Sequence, residues 1–275
     1  MALLLGVSRS GYYFHVNATP SRRFCEDAQL LKRITVLFEN SRATYGSYRI
    51  RFCLAKDGMC IGRRRVVRLM KQAGLVAKKR RLFKKTTVVN KKLPVAQNIL
   101  AQQFKASRPN EKWVSDISYV RTKEGWLYVA VVLDLFSRKV IGLAMGRSLH
   151  TELVNRAFRQ AIQRRGMPTE LLHHSDRGCQ YTSHAFQELL NLYGVRCSMS
   201  GKGNCYDNAA MESFFATLKT ECIYFEIFQT REEAKFKIFD YCEIFYNSQR
   251  LHSTLGYLHP NEIEALYFMS EKVVQ

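Results

Sequence analysis

The spacing of apolar positions along this chain changes near residue 110. Before it, apolar residues recur every three to four positions. In DAQLLKRITVLFENSR (27–42), Leu30, Leu31, Ile34, Val36 and Leu37 form a stripe, and Asp27 is placed to cap the helix. TYGSYRIRFCLAKDG (44–58) predicts a second helix between a Gly-Ser turn and Gly58. GRRRVVRLMKQAGL (62–75) turns Val66, Val67, Leu69 and Met70 inward and projects Arg63, Arg64, Arg65, Arg68 and Lys71. It stops at Gly74, a residue suited to a left-handed helix end. Short helices joined by tight turns, the last rich in arginine, predict a helix-turn-helix-like module that contacts DNA through those basic residues. The plainer alternative is a solvated basic face.

After residue 110 the pattern becomes that of strands. EKWVSDISYVRT (111–122), GWLYVAVVLDLFSR (125–138) and KVIGLAMG (139–146) are rich in Val, Ile, Tyr and Trp and are separated by short turns, which predicts an antiparallel meander. A helix over 150–166, a short strand over 170–176, a helix over 184–194 and a strand over 195–200 follow. Beyond the loop GKGN, the stretch GNCYDNAAMESFFATLK (203–219) places Met211, Phe214, Phe215 and Leu218 on one helical face, with Asn208, Glu212 and Lys219 on another. Asp207 or Asn208 is expected to cap it. A last helix covers 231–250. Strands alternating with helices in the second half require parallel pairing there.

Charge sharpens this division. The chain of 275 residues carries a net charge of +20. Residues 1–108 hold 24 Lys and Arg against four Asp and Glu, whereas residues 109–275 hold 19 of each sign. The whole surplus lies in the N-terminal part, as expected of a segment drawn to a polyanion by counterion release. Residues 76–94 contain eight basic residues and no acid, and are expected to be a linker or arm. The expected organisation is therefore 1–75 helical, 76–109 basic linker, 110–228 an α/β core and 229–275 a helical extension of that core. No apolar run is long enough to span a membrane, and MALLLGVSRSGYYF lacks a basic start, so no membrane partner and a cytoplasmic location are expected. The eight cysteines show no CxxC pairing and no zinc-type spacing with His, and are expected to be reduced.

Three acids stand out by position. Asp116 lies mid-strand in WVSDISY, Asp176 ends a strand in HHSDRGCQY, and Glu212 sits on the helix that follows the last strand. Asp176 and Glu212 are 36 positions apart. Two divalent ions about 3.5–4 Å apart can serve phosphodiester cleavage, stabilising both the attacking and the leaving oxygen. Mg²⁺ takes oxygen ligands and keeps several waters, so a few carboxylates suffice. Asp134 is a rival acid, expected to be structural at the Ser137-Arg138 turn. Of His173 and His174, one is expected to be packed in the core, while the other could face the site or DNA. Lys202, in the loop before the helix, is expected to meet phosphate. Arg250 and His252 could bond either to the fold or to DNA.

The element order matches the ribonuclease H-like fold, in which metal-binding carboxylates occupy these three places. TYGSYRI, VVRLMKQAGL, WVSDISYV, LDLFSRKVIGLAM, HSDRGCQYTS, MSGKGNCYDNAAMESFFATLK and YNSQRLHSTLGYLHP all resemble blocks of the insertion sequence 3 family of transposases (second reading frame product), within the retroviral-integrase-like DDE superfamily. The resemblance covers nearly the whole chain. It implies an α/β fold with a five-stranded mixed sheet behind a small all-α basic domain. It implies Asp116, Asp176 and Glu212 as catalytic, metal-binding residues for two Mg²⁺ or Mn²⁺ ions, and Lys219 as a contact to the element's end. It further implies cleavage and strand transfer at terminal inverted repeats and target DNA, with a circular intermediate made before insertion. The implied partners are an upstream frame product, joined by translational frameshifting, and further copies of the chain on DNA in a bacterial nucleoid. The alternatives are a non-catalytic repressor of transposition and a structure-specific nuclease on the same fold.

Overall fold

The computed structural model describes residue 6 and residues 8–17, 19–78, 96–201 and 205–274. Lys202 and residues 79–95 of the basic linker lie outside the described residues. The chain divides into two compact units, Met1–Ala77 and Lys78–Gln275.

The first unit is helical: α1 (Arg9–Asn17), α2 (Arg22–Asn40), α3 (Ser47–Lys56) and α4 (Arg63–Gln72). The periodicity did not anticipate α1. α2 begins earlier than expected, because Ser21 caps it by accepting from the Phe24 N–H at 3.2 Å. Asp27 is thus inside the helix and is no cap; its carboxylate takes Arg68 and Arg65 of α4. The buried stripe is Leu30, Ile34 and Phe38, at steps of four residues, while Val36 falls off it and is exposed. On α4 the stripe is Val66, Leu69 and Met70; Val67, expected inward, is exposed. Ile34, Ile50, Leu54 and Val66 are fully buried. Each such side chain contributes at most about 1.5–3 kcal/mol to folding.

The second unit is built on a five-stranded sheet ordered β3-β2-β1-β4-β5. Its strands are β1 (Lys112–Thr122), β2 (Gly125–Asp134), β3 (Val140–Gly146), β4 (Leu172–Ser175) and β5 (Arg196–Met199). The first three form the antiparallel meander, and β4 and β5 add in parallel on the other side of β1. α5 (Thr151–Arg165) and α6 (His184–Leu192) cover one face, packing Phe158, Ile162, Phe186 and Leu190 on Trp113, Ala130 and Val132. Because side chains alternate along a strand, Val114, Leu127, Val129 and Val131 point the other way, toward α7 (Ala209–Leu218) and α8 (Arg231–Phe239). Met211, Phe214, Phe215 and Leu218 are all buried, as the helical spacing predicted. α9 (Pro260–Val274) completes the chain.

Residues 97–100, expected to belong to the linker, instead run against β5. Ser198 Oγ accepts from the N–H groups of Ile99 and Leu100, and Leu100 is buried. The expected helix over 231–250 does not run through: α8 gives way to a π-helical turn at Asp240–Tyr246, and α7 likewise passes into one at Lys219–Ile223. Glu221 in the Lys219–Ile223 turn accepts from Arg250 on both oxygens at 2.7 Å and from the Tyr241 hydroxyl. Burial opposes the Arg250 charge, but Glu221 more than offsets it and the guanidinium pKa is raised. Arg250 therefore bonds to the fold. Asp134 does too: it is fully buried, accepts from the Asn110 and Phe136 N–H groups, and so pins the turn after β2. The seven cysteines whose side chains are described are free, and no described helix is long and apolar enough to cross a membrane.

Gly142 sets the spacing between β3 and α5. A Cβ there would stand 2.2 Å from the Ala157 carbonyl oxygen, a contact that only backbone movement relieves. Gly142→Ala is expected to cost about 1–3 kcal/mol or more. Thermal unfolding should register it as a fall of several degrees in Tm, at about 2–4 °C per kcal/mol for a domain of this size; an unchanged Tm would show that the helix can lift away freely.

Candidate active site

A pairing register brings two of the three acids side by side. β1 and β4 run parallel, with Ser115 opposite Ser175 as the last pair. Asp116 and Asp176 are the next residue on each chain, so they leave the end of the pairing side by side, about one strand spacing (~4.8 Å) apart. Glu212 is the fourth residue of α7, which packs over β1. Asn208, at the start of that helix, donates from Nδ2 to the Ser115 carbonyl at 3.3 Å. Ser115 thus ties all three together: its pairing aligns the two aspartates, and its carbonyl anchors the helix that carries the glutamate one turn further on.

The acids perturb one another. Asp116 is half-buried, and its pKa is pushed up to about 8 by burial first, then by the charge of Asp176, with Glu212 adding to it. The Ile117 N–H, donating to Oδ1 at 2.7 Å, and the Lys219 ammonium act the other way. Burial raises the Asp176 pKa as well, against the opposing Gly178 N–H, which donates to its Oδ1 at 2.9 Å. Gly178 allows this approach: a Cβ there would stand 3.0 Å from that same oxygen. Beneath them the Tyr181 hydroxyl is buried without a hydrogen-bond partner, its pKa raised by burial and then by both aspartates. The second oxygens of Asp116 and Asp176, and both of Glu212, accept no hydrogen bond among the described residues.

These features suit a divalent cation of the magnesium type. The donors are carboxylate oxygens without thiolate or imidazole, and their mutual repulsion is what a cation relieves. Glu212 is exposed, and among the described residues no three His, Cys, Asp or Glu side chains are already grouped to hold an ion. The two aspartates are adjacent, whereas the Glu212 side chain stands in solvent on the helix above them.

The neighbouring groups are structural. His173 and His174 are both fully buried and neutral, with pKa values lowered by burial to about 3 and about 4. His173 Nε2 meets the Ser115 hydroxyl at 2.7 Å; His174 bridges Ser198 and Ser200. Neither faces outward, and of the two alternatives for the second histidine the structure shows the packed one. Asp207 does not act as a helix cap. It is buried and accepts from Asn98, Gln102 and the Gly201 N–H, joining the 96–102 segment to the loop before α7. Sequence reasoning missed the roles of Ser115, Asn208 and Asp207; the only local signal was the polar Asp-Asn pair ahead of an apolar helix. The basic residues of α4 divide. Arg63 stacks on Tyr48, 4.2 Å from its ring centre. Arg65 and Arg68 bind Asp27, and Arg65 also reaches Glu26. Arg64 and Lys71 are exposed and have no partner among the described residues.

Residues 25–83 match a family model described as HTH-like domain, and residues 106–205 and 193–260 match two described as integrase core domain. The chain is 44% identical over 267 residues to the insertion element IS600 uncharacterized 31 kDa protein of Shigella sonnei, covering 97% of this chain and 98% of that one. It is 40% identical over 271 residues to transposase InsF for insertion sequence IS3A of Escherichia coli K12, covering 96% and 92%. Among solved structures it superposes on a cryo-EM structure of the simian T-cell lymphotropic virus intasome in complex with PP2A regulatory subunit B56 gamma. That match has a TM-score of 0.50 and 16% identity, covers 78% of this chain and 70% of that one, and bears on the fold alone. Near full-length identity at this level, over an HTH-like region followed by an integrase core, makes the chain a member of the IS3 family of transposases, DDE-type polynucleotidyl transferases.

Proposed function

We propose that this transposase cuts and rejoins DNA strands at the ends of its insertion sequence, with Asp116, Asp176 and Glu212 as the catalytic residues. The observation that carries this reading is the register that sets Asp116 beside Asp176 at the end of the β1–β4 pairing, with Glu212 on the helix above. Mg²⁺ or Mn²⁺ held by these three carboxylates, two ions in our reading, would neutralise charge on the scissile phosphate and on the attacking and leaving oxygens. The chain supplies the rest. β1 and the Gly178 N–H hold the two aspartates rigidly, as a reacting centre requires. Asn208 fixes the origin of α7 and hence the reach of Glu212. Lys219, whose charge is felt by Asp116, would meet a DNA phosphate near the cut.

In the first reaction a water oxygen bonds to phosphorus, the bond from phosphorus to the 3′ oxygen breaks, and that oxygen takes up a proton. The released 3′-hydroxyl then attacks a second phosphodiester, so one bond forms as another is lost and no energy source is needed. In the N-terminal unit, Arg64 and Lys71 are free for phosphate contact, whereas Arg65 and Arg68 would first exchange Asp27 and Glu26 for DNA. Fusion to an upstream frame product and assembly of several copies on terminal repeats belong to the same proposal, as does a phosphate contact by Lys202.

Asp116→Asn, Asp176→Asn and Glu212→Gln are each expected to lower strand cleavage more than about a thousandfold. DNA affinity, measured by fluorescence anisotropy, should stay close to that of the unaltered protein. Cleavage surviving in any purified variant would remove that residue from the catalytic set.

The raised pKa of Asp116 has a consequence for stability. A carboxyl whose folded pKa lies above its unfolded value favours the native state below the ordinary carboxylate range, and this contribution is lost as the pH rises through about 8. In chelator, the unaltered protein should therefore lose more Tm than Asp116→Asn between about pH 5 and about pH 9. Added Mg²⁺ should restore the Tm of the unaltered protein alone. Parallel curves for the two proteins would show that the site carries no such strain.

A further inference from the structure

Beyond the carboxylates, β1 continues to Thr122 while its pairing with β4 stops at Ser115. Three residues past Asp116, about 10 Å along the strand, two large aromatic side chains stand out from the β1–β2 hairpin. Tyr119 and Trp126 are 47% and 46% exposed, and their rings meet edge to face with centroids 5.2 Å apart. Trp126 lies directly across from Arg121, and strand alternation sets Tyr119, Arg121 and Trp126 on one face, opposite that of Asp116, along the edge of β1 that β4 leaves open. The Lys219 ammonium stands 5.4 Å from the Tyr119 ring centre. The same ammonium acts on the Asp116 carboxylate, so it links the aromatic pair to the reacting centre. Neither Lys219 nor Arg121 makes a hydrogen bond or ion pair among the described residues. The hairpin end is held firm by Arg231, which donates to the Trp126 and Glu124 carbonyls at 3.0 and 2.6 Å.

Exposed aromatic faces flanked by unpaired cations are what a nucleotide with an unstacked base binds: the base stacks and the phosphates meet the charge. A closed duplex offers no base face. An unpaired nucleotide accounts for the rings and the cations with a single ligand, its base for the former and its phosphates for the latter. We propose that Tyr119 and Trp126 form a stacking platform for an unpaired base of the DNA strand engaged at the carboxylates, with Lys219 and Arg121 on the adjoining phosphates. This rests on the reading of the carboxylates as the strand-cutting centre, which sets where the DNA lies.

The test uses full-length protein carrying Glu212→Gln, so that binding is read without cutting and independently of whether the carboxylates catalyse. The probes are a short blunt duplex of arbitrary sequence and the same duplex with an unpaired end carrying 2-aminopurine. Stacking predicts quenched 2-aminopurine fluorescence on binding. It also predicts that adding Tyr119→Ala and Trp126→Ala weakens the frayed probe roughly tenfold or more, while the blunt probe is little changed. Tyr119→Phe with Trp126→Phe should restore both readouts. Replacing Arg121 or Lys219 by Gln should reduce the salt dependence of frayed-probe binding by about one counterion each. Equal losses on both probes, or quenching that survives the double alanine change, would overturn the platform. Loss of cleavage in the triad variants would still stand on its own.

Discussion

The site depends on one pairing register, Ser115 opposite Ser175 between two parallel strands. A slip of one residue would send Asp116 or Asp176 to the other face of the sheet, because side chains alternate. The register is held from both faces. Trp113 and His173, paired across the strands, sink into the aromatic layer with Phe158 and Phe186. His173 also bonds to Ser115 itself. On the opposite face His174 is fastened to Ser198 and Ser200, which carries the alignment into β5 and the loop leading to α7. The two histidines are thus part of the frame under the acids. Being buried and neutral, they add no charge of their own.

That frame holds carboxylates closer than they would choose. Burial and mutual repulsion make Asp116 reluctant to ionise, against the opposing Ile117 N–H and Lys219 ammonium. Such a cluster is a poor device for stability and a good one for binding a cation, since the strain present without the ion is released when it arrives. The rest of the unit compensates. The Glu221–Arg250 pair is buried and doubly hydrogen-bonded, and it locks the π-helical turn that begins at Lys219. π-Helical turns inside longer helices often mark functional positions. Here one redirects the chain directly after the residue whose charge reaches the site.

Much of this was legible in the sequence. The change of period near residue 110, the meander and the strand–helix alternation fix the sheet topology, since parallel crossovers leave few arrangements. The acids were legible by position, each at a strand middle, a strand end or a helix start. What stayed hidden were bonds between residues far apart in the chain. Nothing local tells that Asp27 serves Arg65 and Arg68 instead of a helix end. Nor does anything local tell that Asp207 reaches back to Asn98 and Gln102, or that Arg250 answers Glu221. Each of these is a polar residue whose helical or loop position admits a cap, a solvated charge or a ligand contact, and only the fold selects among them. The π-helical turns were hidden for a related reason, because apolar spacing near 3.6 is blind to one inserted residue.

The central claim is that Asp116, Asp176 and Glu212 close on divalent ions together. Anomalous diffraction from crystals grown with Mn²⁺ and bound DNA measures this directly. The account predicts anomalous peaks within direct ligand distance of all three carboxylates, with the Glu212 side chain swung in from its exposed position. Peaks ligated elsewhere, or bound by the aspartates while Glu212 stays in solvent, would contradict it.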